Sequence, residues 1–178
     1  MKKAFSGVFC LAVCLVSAIW ANPAYCQWKY EKSKDKMTDK VTVIASLPSP
    51  TSVQLGFPYG AIKAWLIIEH HGGETPDDVK LYVSKGQLLK REGLTFRFDD
   101  APPLSFETVG TASGSSNALY VYAPFARHLN AETGKWEDGG GPLTDLISES
   151  KRVRVQATFY NHGSEVFEFK PQGLKWPK

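Results

Sequence analysis

Arg152-Val-Arg-Val-Gln-Ala-Thr-Phe-Tyr160 alternates without a break and runs directly into Asn161-His-Gly-Ser164, after which Val166-Phe-Glu-Phe169 resumes the pattern. Successive side chains of an extended chain point to opposite faces. Val153, Val155, Ala157 and Phe159 therefore form one apolar face, and Arg152 and Arg154 fall on the other. The Asn-His-Gly-Ser segment supplies residue types that suit a tight turn, so the two runs read as an antiparallel hairpin.

The same period recurs upstream. Val41-Thr-Val-Ile-Ala-Ser-Leu47 alternates and is stopped by Pro48-Ser-Pro50, and Ser52-Val-Gln-Leu-Gly-Phe57 ends at Pro58-Tyr-Gly60. Residues 61–70 read as one longer strand, with Ala64, Leu66 and Ile68 on one face and Trp65 and Ile67 on the other. A strand apolar on both faces belongs at the centre of a sandwich. Gly72-Gly-Glu-Thr-Pro76 is a turn. Residues 78–84, 94–98 and 117–123 alternate cleanly, and 104–109 is a shorter strand candidate. Two helical pieces are expected: Phe125 to Leu129, and a turn or two from Pro142 with Leu143, Leu146 and Ile147 on one side. Strands about ten residues apart with turn residues between them specify a mainly β fold. We expect an antiparallel β-sandwich, or a partly open barrel, with one or two short helices. No repeat, low-complexity tract or linker divides residues 25–178, so they read as a single domain.

Residues 1–24 have a different character. Lys2 and Lys3 precede an uncharged run from Ala4 to Trp20, and small residues follow at Ala18, Ala21 and Ala24. This is the layout of a secretory signal peptide, with cleavage between 18 and 24. The apolar run of about 17 residues sits at the lower limit for a membrane anchor, and Ser6, Gly7, Ser17 and two cysteines dilute it. Tyr25 before Cys26 argues against lipidation. The expected location is periplasmic or secreted, with no stable membrane insertion once the leader is gone.

About 155 residues then remain, enough for one domain with a real core. Without Lys2 and Lys3, the chain's 21 basic and 18 acidic side chains come close to balance. No global field argues for nucleic acid or anionic lipid. The lysines between 29 and 40 are interleaved with Glu31, Asp35 and Asp39 and read as a solvated surface segment. Of three cysteines, Cys10 and Cys14 lie in the leader, so the mature chain has no internal disulfide and Cys26 reads as an unpaired thiol on the N-terminal tail.

Motifs that carry chemistry are weak. Glu69-His70-His71 lacks the four-residue histidine spacing of a metalloprotease helix. On a strand, the adjacent histidines point to opposite faces and cannot easily share a metal. His128 and His162 read as surface residues. Asp99-Asp100 is followed by Ala101-Pro-Pro103 and reads as a turn former rather than a calcium loop. Around Ser113 the Gly-x-Ser-x-Gly elbow is absent, and residues 110–116 read as a loop. Gly139-Gly-Gly141 has no Lys-Ser/Thr after it and reads as a flexible connection. No catalytic residue, cofactor or metal ligand is assigned. The one candidate partner surface is Arg152 and Arg154 on their shared strand face, together with Arg97; guanidinium groups suit an anionic partner.

Trp28-Lys-Tyr30, Asp35-Lys-Met-Thr-Asp-Lys40, Phe57-Pro-Tyr59, Gly86-Gln87, Arg97-Phe-Asp-Asp100, Phe159-Tyr160-x-x-Gly163-x-x-x-Phe167-x-Phe169 and Gly173-Leu-Lys-Trp176 together resemble small exported bacterial β-domain proteins of largely unassigned function. More distantly, the chain is similar to type VI secretion accessory proteins and to invasion-associated locus B proteins. Those carry cysteine pairs that this chain lacks. The resemblance implies an exported β-sandwich and carries over no functional residue. The resulting expectation is a non-catalytic periplasmic binding or accessory protein, associated with a secretion system or the cell envelope, whose partner is an envelope or periplasmic protein. The alternatives are an envelope-acting hydrolase built from His70 or His71 with Asp99, Asp100 or Glu107, and an inhibitor of a periplasmic enzyme.

Overall fold

A computed structural model describes residues 27–72, 77–121, 125–129 and 136–176, with the backbone course for 125–129 and 136–142. The expected leader at 1–24, Cys26, Tyr122 and most of the 72–76 turn lie outside these residues. In chain order the strands are β1 (Lys29–Lys34), β2 (Val41–Pro48), β3 (Val53–Gln54), β4 (Ala61–Ile62), β5 (Ala64–His70), β6 (Asp78–Val83), β7 (Leu94–Phe98), β8 (Leu104–Phe106), β9 (Thr108–Gly110), β10 (Ala118–Val121), β11 (Phe125–Leu129) and β12 (Trp136–Pro142). A helix α1 (Leu143–Glu149) precedes the closing hairpin of β13 (Val153–Phe159) and β14 (Gly163–Phe169).

The strands form two antiparallel six-stranded sheets and a small β3–β4 ribbon. One sheet runs β1-β2-β5-β6-β10-β9 and the other β12-β11-β8-β7-β13-β14. Ala45, Leu47, Leu66, Ile68, Leu81 and Val83 of the first sheet share one apolar cluster with Phe96, Phe106, Val153, Val155, Phe159, Phe167 and Phe169 of the second. The fold is thus a mainly β sandwich and not a closed barrel. Phe96, Phe159, Phe167 and Phe169 are among the largest side chains shut away from water, and each such burial is worth about 1.5–3 kcal/mol. β5 lies between β2 and β6, with Ala64, Leu66 and Ile68 inward and Trp65 and Ile67 half-buried on the outer face.

Several expectations needed correction. Residues 125–129 form a strand, not a helix: five residues cannot nucleate a helix alone, and β8 and β12 supply hydrogen-bonding partners on both sides. The glycine run 139–141 lies inside β12 rather than in a flexible connection. Arg127 pairs with Asp138, so a regular ladder would set Gly140 opposite Phe125; Pro142 stands there instead. The extra glycine residues are taken up as a bulge, which residues without side chains accommodate. The segment 104–109 is two strands, and the chain passes from one sheet to the other at Glu107. The long strand from 61 divides at Lys63, whose carbonyl and amide turn to Ser84. The 29–40 segment is exposed as expected, yet 29–34 forms β1 at a sheet edge, where lysines discourage further strand addition. The helix from 143 agrees, with Leu143 and Ile147 buried and Leu146 packed beside them.

The first and last described segments close on each other. Trp28 is buried and its Nε1 donates to the Pro171 carbonyl at 2.7 Å. Lys175 N donates to the Tyr30 hydroxyl, also at 2.7 Å.

Candidate functional site

Three arginines and an acidic turn meet on the outer face of the second sheet. Register places Arg154 directly opposite Arg97 on β7 and opposite Glu168 on β14. Like charges facing across a ladder repel, and the turn after β7 offsets this. Arg154 Nη2 donates to the Asp99 carbonyl at 2.8 Å, Arg97 Nε donates to the Ala101 carbonyl at 3.0 Å, and Arg152 Nη2 donates to Asp100 Oδ1 at 2.9 Å. Asp99 adopts a left-handed conformation (φ 47°), which aspartate tolerates. Its Oδ1 accepts the backbone amides of Lys151 at 3.0 Å and Arg152 at 2.8 Å, so it ties the end of β7 to the start of β13. The aspartate pair sits in a turn, as read from the sequence, but its side chains bond to Lys151 and Arg152 rather than within the turn. The Asp100 side chain is 87% exposed, so its ion pair with Arg152 is screened and worth at most about 1 kcal/mol. Arg154 Nε is buried without an acceptor among the described residues. The arginines form a half-buried platform of guanidinium donors whose one carboxylate partner is loosely held.

A second cluster lies where β5 ends and β6 begins. His70 Nδ1 contacts Asp77 Oδ1 at 2.8 Å, and Trp176 Nε1 donates to Asp77 Oδ2 at 2.6 Å, with the two rings edge to face at 6.3 Å. On the opposite side of the strand, His71 Nε2 contacts Asp78 Oδ2 at 3.1 Å. Beside it, Lys80 Nζ donates to Glu69 Oε1 and to the Tyr120 hydroxyl, and that hydroxyl donates to Glu69 Oε2 at 3.3 Å. Lys80 Nζ also stands 4.9 Å from the Tyr120 ring centroid. Burial works against the Lys80 charge, but the bonds to Glu69 and Tyr120 and the Glu69 charge more than offset it. Its pKa lies above the ordinary lysine value.

No family model, curated protein or solved structure matches the chain. The histidines bond to Asp77 and Asp78 and not to the carboxylates expected for a hydrolase, since Asp99 and Asp100 engage residues 151–154 and Glu107 is exposed at the sheet crossing. Glu107 lines an open depression of about 380 Å³ with Lys90, Arg91, Ser105 and Thr108. His162 contacts Glu165 within the last hairpin, and His128 falls on β11. Trp65 and Tyr82 face each other across β5 and β6, their ring centroids 5.4 Å apart, half-buried on the outer face. Among the described residues no helix is long and apolar enough to cross a membrane.

Proposed function

We propose that this chain is an exported, non-catalytic binding or accessory protein, and that an acidic group of an envelope or periplasmic protein docks on Arg97, Arg152 and Arg154. The observation that carries the reading is the convergence of two guanidinium groups, Arg152 and Arg154, on one exposed carboxylate, Asp100, with Arg97 held beside them at the Ala101 carbonyl. A partner carboxylate can take the place of Asp100 at little cost, because the existing pair is screened by water, whereas the same contact in a desolvated interface is stronger. The rigid sheet beneath holds the guanidiniums in place and lowers the ordering cost of binding. The leader-like residues 1–24 and the resemblance to exported accessory proteins support the location.

The test is capture from envelope extracts with the wild-type chain and with the Arg152→Ala/Arg154→Ala double variant. A defined protein retained by the wild type, eluted by salt, and reduced at least about tenfold with the variant supports the reading. Equal retention by both proteins contradicts it.

A further inference from the structure

Glu69 lies on the outer face of the first sheet as the ladder partner of Asp78, and His71, one residue past the end of β5, contacts Asp78 on that side. One donor atom from each of Glu69, His71 and Asp78 lies within 4.8 Å of both others. The geometry points to a divalent-cation site of zinc type formed by these three side chains, distinct from the arginine platform.

Zinc holds imidazole nitrogen and carboxylate oxygen at about 2.0–2.2 Å, so two donors at tetrahedral angles on one ion stand about 3.4 Å apart. His71 Nε2 and Asp78 Oδ2, at 3.1 Å, already stand near that spacing. Glu69 has at most about 1.4 Å to close from the 4.8 Å bound, within reach of a side-chain rotation. The surroundings also favour coordination. Thr42 Oγ1 lies 3.5 Å from His71 Nδ1. When the neutral ring carries its proton on Nδ1 toward this hydroxyl, the Nε2 lone pair is free for the cation. Lys80 engages one oxygen of Glu69 and Tyr120 the other, and each oxygen keeps a further lone pair for a cation. Two carboxylates outweigh the single Lys80 ammonium, so the cluster attracts a cation. Three protein donors of the imidazole and carboxylate type leave a fourth, tetrahedral position for water. Calcium is disfavoured, because it takes six to eight oxygen ligands.

His70 supplies an internal control. It is the neighbour of His71 in sequence, but it faces Asp77 and Trp176 and takes no part in the trio. His162, beside Glu165 in the closing hairpin, is a second control.

The experiment is titration of the full chain with zinc chloride, read by calorimetry and by nitrogen-15 shifts of the histidine rings. One ion is expected to bind per chain, and the His71 ring nitrogens are expected to shift while those of His70 and His162 do not. His71→Asn and Asp78→Asn, both at exposed positions that leave the core intact, should each weaken binding about 100-fold. His70→Asn and His162→Asn should leave it unchanged. Glu69→Gln should also weaken binding, but Glu69 is buried beside Lys80, so the two exposed variants decide the matter. Absence of zinc binding, equal affinity in His71→Asn, or loss of affinity in His162→Asn would each overturn the site.

Discussion

At the scale of single residues, Gly93 carries the tightest constraint on the described chain. It follows a 3-10 turn (Lys90–Glu92) with φ 69° and ψ −167°, a conformation open essentially to glycine alone. A Cβ there would stand 2.4 Å from the Phe106 carbonyl oxygen, and backbone cannot step aside as a side-chain end can. Gly93→Ala is expected to cost about 3 kcal/mol. Gly163→Ala has φ 92° but no atom within 4 Å of the new methyl, so it costs about 1 kcal/mol. Urea denaturation of both variants checks the difference; equal costs would show that the contact with Phe106 is relieved freely. The candidate sites were readable at this scale only in part. Alternation alone puts Arg152 with Arg154 and Glu69 with His71. The adjacency of His70 and His71 masks the second relation. Asp78 joins through the β5–β6 register, and Arg97 through the β7–β13 register; no local pattern encodes either.

At the scale of elements, alternation located most strands because one face of each is buried. It failed where a partner, not a period, decides the structure. The β11 segment is too short to declare its type, and β8 and β9 look continuous until the chain changes sheets at Glu107. β1 shows how local chemistry joins an exposed strand to the sheet. Asp35 Oδ1 accepts the amides of Met37 at 2.7 Å and Thr38 at 2.9 Å in the turn to β2. The Thr38 amide bond, followed by that of Met37, lowers the Asp35 pKa below the ordinary aspartate value. A depressed carboxyl pKa stabilises the fold at pH above the unfolded value, and that contribution disappears as pH falls through the folded one. The protection of the β1–β2 amides, with exchange rates corrected for their intrinsic pH dependence, is therefore expected to fall on acidification in the wild type. Asp35→Asn should remove that part of the pH dependence. An unchanged acid profile in the variant would exclude Asp35 as its source.

At the scale of the whole molecule, two six-stranded sheets enclose a phenylalanine-rich core, and the first and last described segments are drawn together by Trp28 with Pro171 and by Tyr30 with Lys175. The layered β fold was readable from composition and period, because a face that must be buried on each strand needs a second sheet to cover it. Strand order was not readable, since it depends on contacts between residues far apart in sequence. The terminal clasp was equally hidden: Trp28 and Pro171 are 143 positions apart. The proposed role as an exported binding protein depends on where this body folds. The most direct measurement is the intact mass of the protein recovered from separated periplasmic and cytosolic fractions. A periplasmic species lacking its first 18 to 24 residues is the expected result. Full-length protein confined to the cytosol would contradict the account.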